Sequence, residues 1–438
     1  MRRYAASKVG KGPRRNAKNK MNYKITSTVI GTLLMAAASV LNAQDKQTLD
    51  LLVSKGIITK EEAASVSKKS VAVAPKEKTT KSIKLIGRLQ MQYENINVDE
   101  TVGGVESSLA AKNDFIMRRM FLGAAADLGS GWAAELIADF ARDDAGYIDK
   151  AVITKKVDWD SLQGKLGFGY QKINFGLEEN TSSSKLLTIE RSLATRYFTE
   201  GANGRRLGFG GRHTGVFWAG KIPQVKGLEY GLSVTNSYNN SPTKLAGGAD
   251  NNLMYGASVA YGTKIDEVSL KAGANFAYTN GMNVNNNGQH REVIGVNPYI
   301  TAQYLGLNFY ADFMLAQVED GRNSYSENAT PMGANVAAEY RFDIGDFGKI
   351  APVVRYAWLD TDGRGVKMSD GVRNANANST FDAAQSVYIG ANWYINGDAL
   401  KFQLGYEWAQ LNGVKAGAAS VAQHSEANAV RAQVQVLF

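Results

Sequence analysis

Cysteine is absent from the 438 residues, so disulfide frameworks, thiol nucleophiles and cysteine metal sites are excluded. Proline is scarce at 7 residues and histidine at 3. His290 and His424 sit in Asn-rich or small-residue loops. His213 lies beside Gly210-Gly211 with no Ser/Asp pairing signature. There is no ligand cluster for zinc, and the carboxylates are too scattered for a calcium loop. The sequence therefore offers an enzyme no machinery and implies no cofactor. Beyond the extreme N-terminus no uncharged apolar run reaches about 18 residues, which excludes a bundle of membrane-spanning helices. A charge of one sign is lacking too. Residues 1–43 carry nine Lys/Arg and no acid, which accounts for the whole formal +9, and the remainder carries 41 of each sign. A neutral body has no electrostatic footprint for nucleic acid.

What is present begins with a leader. Lys24 precedes an apolar stretch from Ile25 to Leu41, and Leu-Asn-Ala follows before Gln44. That is the layout of a secretory signal peptide with Ala43 as its last residue. Residues 1–20 read as an extended basic region or as the product of an upstream start codon. Residues 44–82 read as a short helical preface and linker. Leu49, Leu52 and Val53 lie at helical spacing, Thr59-x-x-Glu62 resembles a capping box, and VAVAPKEKTTKS is loop-like.

From Lys84 to Phe438 the period is two. Phe402, Leu404, Tyr406 and Trp408 alternate with Lys401, Gln403, Gly405 and Glu407, so each segment has one apolar and one polar face. Segments of this kind span 84–97, 112–128, 131–142, 146–158, 163–175, 206–220, 226–238, 252–263, 267–280, 291–304, 306–318, 332–343, 348–360, 383–395, 399–411 and 427–438. Sixteen is an even number, as a closed bacterial barrel requires, and aromatic residues gather near the segment ends. Tight turns alternate with long polar loops at 98–111, 176–205, 239–251, 281–290, 319–331, 361–382 and 412–426. The expected fold is all-β, a transmembrane antiparallel β-barrel of about 16 strands over residues 83–438. The chain is expected to be exported to the bacterial outer membrane, with lipid as its surroundings.

Several stretches resemble the phosphate-selective porin O and P family. LDLLVSKGIITKEEA is similar to that family's leucine-rich segment ahead of the barrel. FIMRRMFLG (115–123) is similar to its double-arginine second strand, GFGYQKINFGLEEN (167–180) to its Gly-Gln-x-Lys strand, and IERSLATRYF (189–198) to the motif inside the third loop. The resemblance implies a trimeric porin whose third loop folds inward to narrow a water-filled channel for small anions such as phosphate. Ala134, Ala138 and Gly123 read as small lipid-facing residues available for contact between copies.

The third loop, 176–205, is the longest connection and the place to look for function. With Arg206 included, five cations face four glutamates, a net of +1. Rings of Lys/Arg select anions and rings of Asp/Glu select cations. The pore-lining set expected from alternation and from the loop is Arg119, Lys185, Arg191, Arg196, Arg205, Arg206, Arg212 and Arg355. Of the adjacent pair, Arg119 is expected to face the lumen and Arg118 to share the lipid side with Ile116, Met120 and Leu122. Arg206 is expected to open strand six. A small charge excess fits an anion channel and a non-selective diffusion pore equally well. An adhesin or structural barrel is the third reading, disfavoured because no plug-sized domain is present.

Overall fold

In the computed structural model the described residues are 53–55, 59–61, 81–109, 111–141, 147–201, 205–237, 252–282, 291–322, 327–377, 379–413 and 423–438. The expected signal peptide, most of the preface, and His290 lie outside them. The chain divides into two units at Lys78/Thr79. Of the first, Val53, Ser54, Lys60 and Glu61 are helical.

The second unit is one closed antiparallel sheet. Its wall runs through β1 (Ser82–Val102), β3 (Lys112–Gly129), β4 (Trp132–Asp139), β5 (Tyr147–Trp159), β6 (Leu162–Lys172), β7 (Arg212–Lys221), β8 (Leu228–Asn236), β9 (Leu253–Ile265) and β10 (Val268–Met282). It continues through β11 (Arg291–Tyr304), β12 (Leu307–Val318), β13 (Met332–Tyr340), β14 (Phe342–Asp343), β15 (Lys349–Asp360), β16 (Ala383–Asn396), β17 (Leu400–Asn412) and β18 (Gln423–Leu437). A short β2 (Val105–Ser108) pairs only with the end of β1. β13 and β14 both pair with β15 and form one interrupted wall strand. The wall therefore has sixteen strands, in the order read from the alternation. β1 closes it against β18, from Arg88↔Leu437 to Val102↔Gln423.

Period-two patterning is the physical cause. Along β17, Leu404 is 57% exposed while Gln403 beside it is 3% exposed, because one faces lipid and the other the packed interior. The inward polar residues satisfy one another across strands. Gln92 donates to Gln433, Gln433 to Gln403 and Gln403 to Asn392, at 2.7, 2.7 and 2.9 Å, so β1, β18, β17 and β16 are stitched inside as well as through their backbones. Short turns reverse the chain between strands. The β3–β4 turn takes three consecutive positive φ angles, at Gly129, Ser130 and Gly131, the twist that suits two right-handed strands.

Four expectations need correction. Arg118 does not face lipid: the β1–β3 register slips between Gln90↔Arg119 and Met91↔Met117, leaving Arg118 as the extra residue of a β-bulge. A bulge re-aims its side chain, and Arg118 joins Arg119 on the inward side, where it reaches Glu190. Ile116 also faces inward, across from buried Gln92. Gly123 shares the inward face of Phe121 and pairs with Ile137, whereas Ala134 and Ala138 pair with Ala126 and Leu122 on the lipid side. Strand six begins at Arg212 rather than Arg206, because residues 205–211 turn away from the wall. There Leu207 and Phe209 are fully buried and donate their N–H groups to Tyr197 and Phe198.

Candidate functional site

Loop three, between β6 and β7, leaves the wall at Gly176, whose φ of +83° only glycine adopts readily and whose absent side chain makes room for Thr199. Two short helices follow, α1 (Leu177–Asn180) and α2 (Leu193–Thr199). Ser192 caps α2, its Oγ accepting from the Thr195 N–H at 3.1 Å. Leu193, Ala194, Tyr197 and Phe198 are fully buried. They pack with Phe175 and Phe209, with Ile96, Met314 and Leu359 of the wall, and with Val366, Met368, Val372 and Phe381.

Those last four belong to the β15–β16 connection, 361–382, which reads in sequence as a polar surface loop. It instead folds inward around α3 (Met368–Gly371). Arg196 of α2 donates to the carbonyls of Gly371 and Ser369 at 2.7 and 3.2 Å, and Arg205 pairs with Asp370. Two loops thus build an apolar core inside the lumen of a barrel.

The β12–β18 flank of loop three is closed by buried charges. Arg355 binds Glu407 at 2.7 Å, Glu178 at 3.4 Å and the carbonyl of Glu190 at 2.6 Å. Glu178 also accepts from Tyr310, and Arg431 bridges Glu407 and Glu94. Lys401 donates to the carbonyls of Ser184 and Leu186 at 2.8 and 3.2 Å.

The opposite flank is open. A cavity of about 1100 Å³ lies between loop three and the inner faces of β1 and β3–β7, with Arg373 and Asn374 from the β15–β16 loop on its rim. Ten lysines and arginines line it against five carboxylates. Most cations are paired: Lys150 with Glu135 at 2.7 Å, Arg212 with Asp149, Lys172 and Arg191 with Glu179, and Arg206 with Glu200 at 3.1 Å. Two differ. Arg119 donates to Gln90 at 2.7 Å, and Arg88 donates to Ser183 and Ser182 at 2.6 and 3.1 Å. Neither forms an ion pair among the described residues, and the Nε of Arg88 has no partner there. Asn180 also borders a second cavity of about 500 Å³, where Lys156, Lys165, Lys221 and Lys271 meet Glu229.

Three carboxyls of loop three, Glu179, Glu190 and Glu200, are held as anions. Burial alone would raise Glu190, yet Arg118 and Arg373 hold it well below the usual carboxylate range. Burial likewise opposes ionisation of Glu179 and Glu200, and adjacent cations outweigh it in both.

The model of the phosphate-selective porin O and P family matches residues 83–438. The chain belongs to that family. This porin is an outer-membrane β-barrel channel. The structure resembles OprB of Pseudomonas putida at 11% identity, covering 80% of this chain and 94% of that one, with a TM-score of 0.51. The outer membrane channel DcaP of Acinetobacter baumannii is 13% identical over 82% and 97% of the two chains, TM-score 0.48. OmpT of Vibrio cholerae in its trimer form is 12% identical over 82% and 99%, TM-score 0.46. At such identities these likenesses concern the fold alone. No curated protein matches the chain in sequence.

Within the porin, the eight residues expected from sequence separate into groups. Arg119, Arg191, Arg206 and Arg212 line the larger cavity. Arg196, Arg205 and Arg355 lie elsewhere, bound to carbonyls and carboxylates of the packed loops. Lys185 is exposed in a turn and borders neither cavity. Alternation had put Arg88 on the inward face without marking it as functional. Lys172 lies in the stretch similar to the family's Gly-Gln-x-Lys strand without being marked as pore-lining, and Arg373 carried no signal of its own. His213 is buried in β7 with Nδ1 2.9 Å from the Asn236 carbonyl, and His424 contacts Asn412.

Proposed function

We propose that this porin conducts small anions of the phosphate type along the flank bounded by β1 and β3–β7, and that it acts as a channel rather than a catalyst. One observation carries the reading: Arg88 and Arg119 border the cavity without an ion pair among the described residues, so their charge is cancelled less than that of the paired cations around them. A guanidinium keeps its charge across the working pH range and presents forked donors to an oxyanion. The paired residues around them keep the passage wet and contribute less to the sign of the permeant. We also assign it a homotrimeric assembly in the outer membrane, as the family resemblance implies.

Planar-bilayer recording tests the channel reading. Reversal potentials in a potassium chloride gradient should show anion preference, and added phosphate should reduce chloride current. The double change R88Q/R119Q should weaken both effects. A wild-type channel without ion preference would favour the general-diffusion alternative. Detergent-corrected light scattering should give about three chains per particle, the number that the family resemblance implies; a monomer would remove the trimer from the reading.

A further inference from the structure

Arg373 stands apart from the other cations of the constriction because it comes from a different loop and serves two carboxylates at once. Its Nε donates to Glu190 at 3.0 Å, and it forms an ion pair with Glu200, ten residues further along loop three. Its own backbone is held, since Arg431 donates to the Arg373 carbonyl at 2.7 Å and Asn374 binds Glu94. Glu200 lines the cavity and Glu190 is buried behind it.

We propose that Arg373 is a specificity-determining residue of the pore, acting by masking Glu190 and Glu200 so that permeants meet the arginines of the wall rather than the glutamates of loop three. The inference rests on the anion-channel reading above. Arg118 serves Glu190, and Arg206 and Arg196 serve Glu200, but each engages one of the two glutamates. Only Arg373 bridges both among the described residues. Its loss leaves Glu190 with Arg118 and Glu200 with Arg206 and Arg196, so that both glutamates are less completely neutralised by the removal of one positive charge. Arg205 offers the comparison: it carries the same charge and pairs with Asp370, but it is not part of the cavity lining.

The test compares R373Q, R205Q and wild type as full-length refolded barrels, each first checked for heat-modifiable mobility. Chloride-to-potassium permeability ratios are then measured in dilute salt, where screening is least. R373Q is expected to lower the ratio about threefold or more, a modest electrostatic change at a wet site, and R205Q to change it much less. Adding E190Q and E200Q to R373Q should restore the anion preference, which loss of structure could not do. Equal effects of R373Q and R205Q, or no recovery in the triple variant, would overturn the assignment of Arg373 while wild-type anion preference still stood. Absence of preference in the wild type would instead overturn the reading on which it rests.

Discussion

The two flanks of the lumen are built from the same residue types and do opposite things. Toward β12–β18, Arg355, Glu178, Glu407, Arg431 and Lys401 are almost wholly inaccessible, and each has partners close at hand. Toward β1–β7, arginines border a cavity, and two of them, half-buried Arg88 and buried Arg119, form no ion pair among the described residues. The difference teaches that charge type says little about role in a barrel lumen. Accessibility and the completeness of ion pairing decide whether an arginine fastens a loop or meets a permeant. A buried ion pair contributes little by existing, yet it is costly to break, because the surviving charge stays buried.

The largest expected effect therefore lies on the closed flank. Arg355→Ala leaves buried Glu178 without its cation and Glu407 with Arg431 alone, and should cost about 3–5 kcal/mol. A lower temperature for loss of the folded gel band would register it, and the loosened loop should make single-channel conductance noisier. Unchanged thermal behaviour would show that the closed flank is not fastened by its charges.

Next comes a double dissociation inside one loop. Phe198→Ala removes a fully buried ring from the lumen core and should cost about 3–5 kcal/mol in stability, lowering the melting temperature. Arg206→Ala removes a half-buried charge that lines the cavity, leaves Glu200 paired with Arg196 and Arg373, and should shift the reversal potential toward cations while moving the melting temperature less. If both variants changed the same observable, the flanks would not be separable.

A smaller effect is expected from acid. The native carboxyls of Glu179, Glu190 and Glu200 titrate below the ordinary value of 4.5. Groups with depressed pKa contribute stability that is fully present above the unfolded value and is lost progressively as pH falls from that value to the native one. Between pH 7 and about 5 these three should leave the melting temperature unchanged, with destabilisation below about 4.5. A melting curve against pH checks this, and a fall near neutrality would point to other groups.

The smallest belongs to Lys185→Ala, a surface change expected within about 0.5 kcal/mol in stability and without effect on the reversal potential. A measurable shift would place that turn in the permeation path.

The legibility of these features from sequence follows their periodicity. Sixteen strands were readable because a lipid face on one side of every strand forces strict alternation, as in Phe402 to Trp408. Loop three was readable from its length. The second inward loop was not, because Val366, Met368, Val372 and Phe381 have no regular spacing amid Gly, Asp and Asn. The start of β7 was misplaced for a related reason: Leu207 and Phe209 alternate as a strand would, but their partners are Tyr197 and Phe198. Arg118 was assigned to the wrong face because alternation, extrapolated through a bulge, is wrong by one residue from that point on.

That bulge has a genetic consequence. Gln90↔Arg119 and Met91↔Met117 are both regular pairings, and Arg118 is the single residue between them that has no place in the ladder. Removing one codon would therefore leave every cross-strand pair of β1 and β3 intact while deleting one positive charge, a partner of Glu190, from the cavity lining. Inserting one elsewhere in the wall could add a charge by the same route. Charge at the constriction can thus be gained or lost through small insertions and deletions, and a lineage carrying this barrel could retune what it admits without rebuilding the sheet.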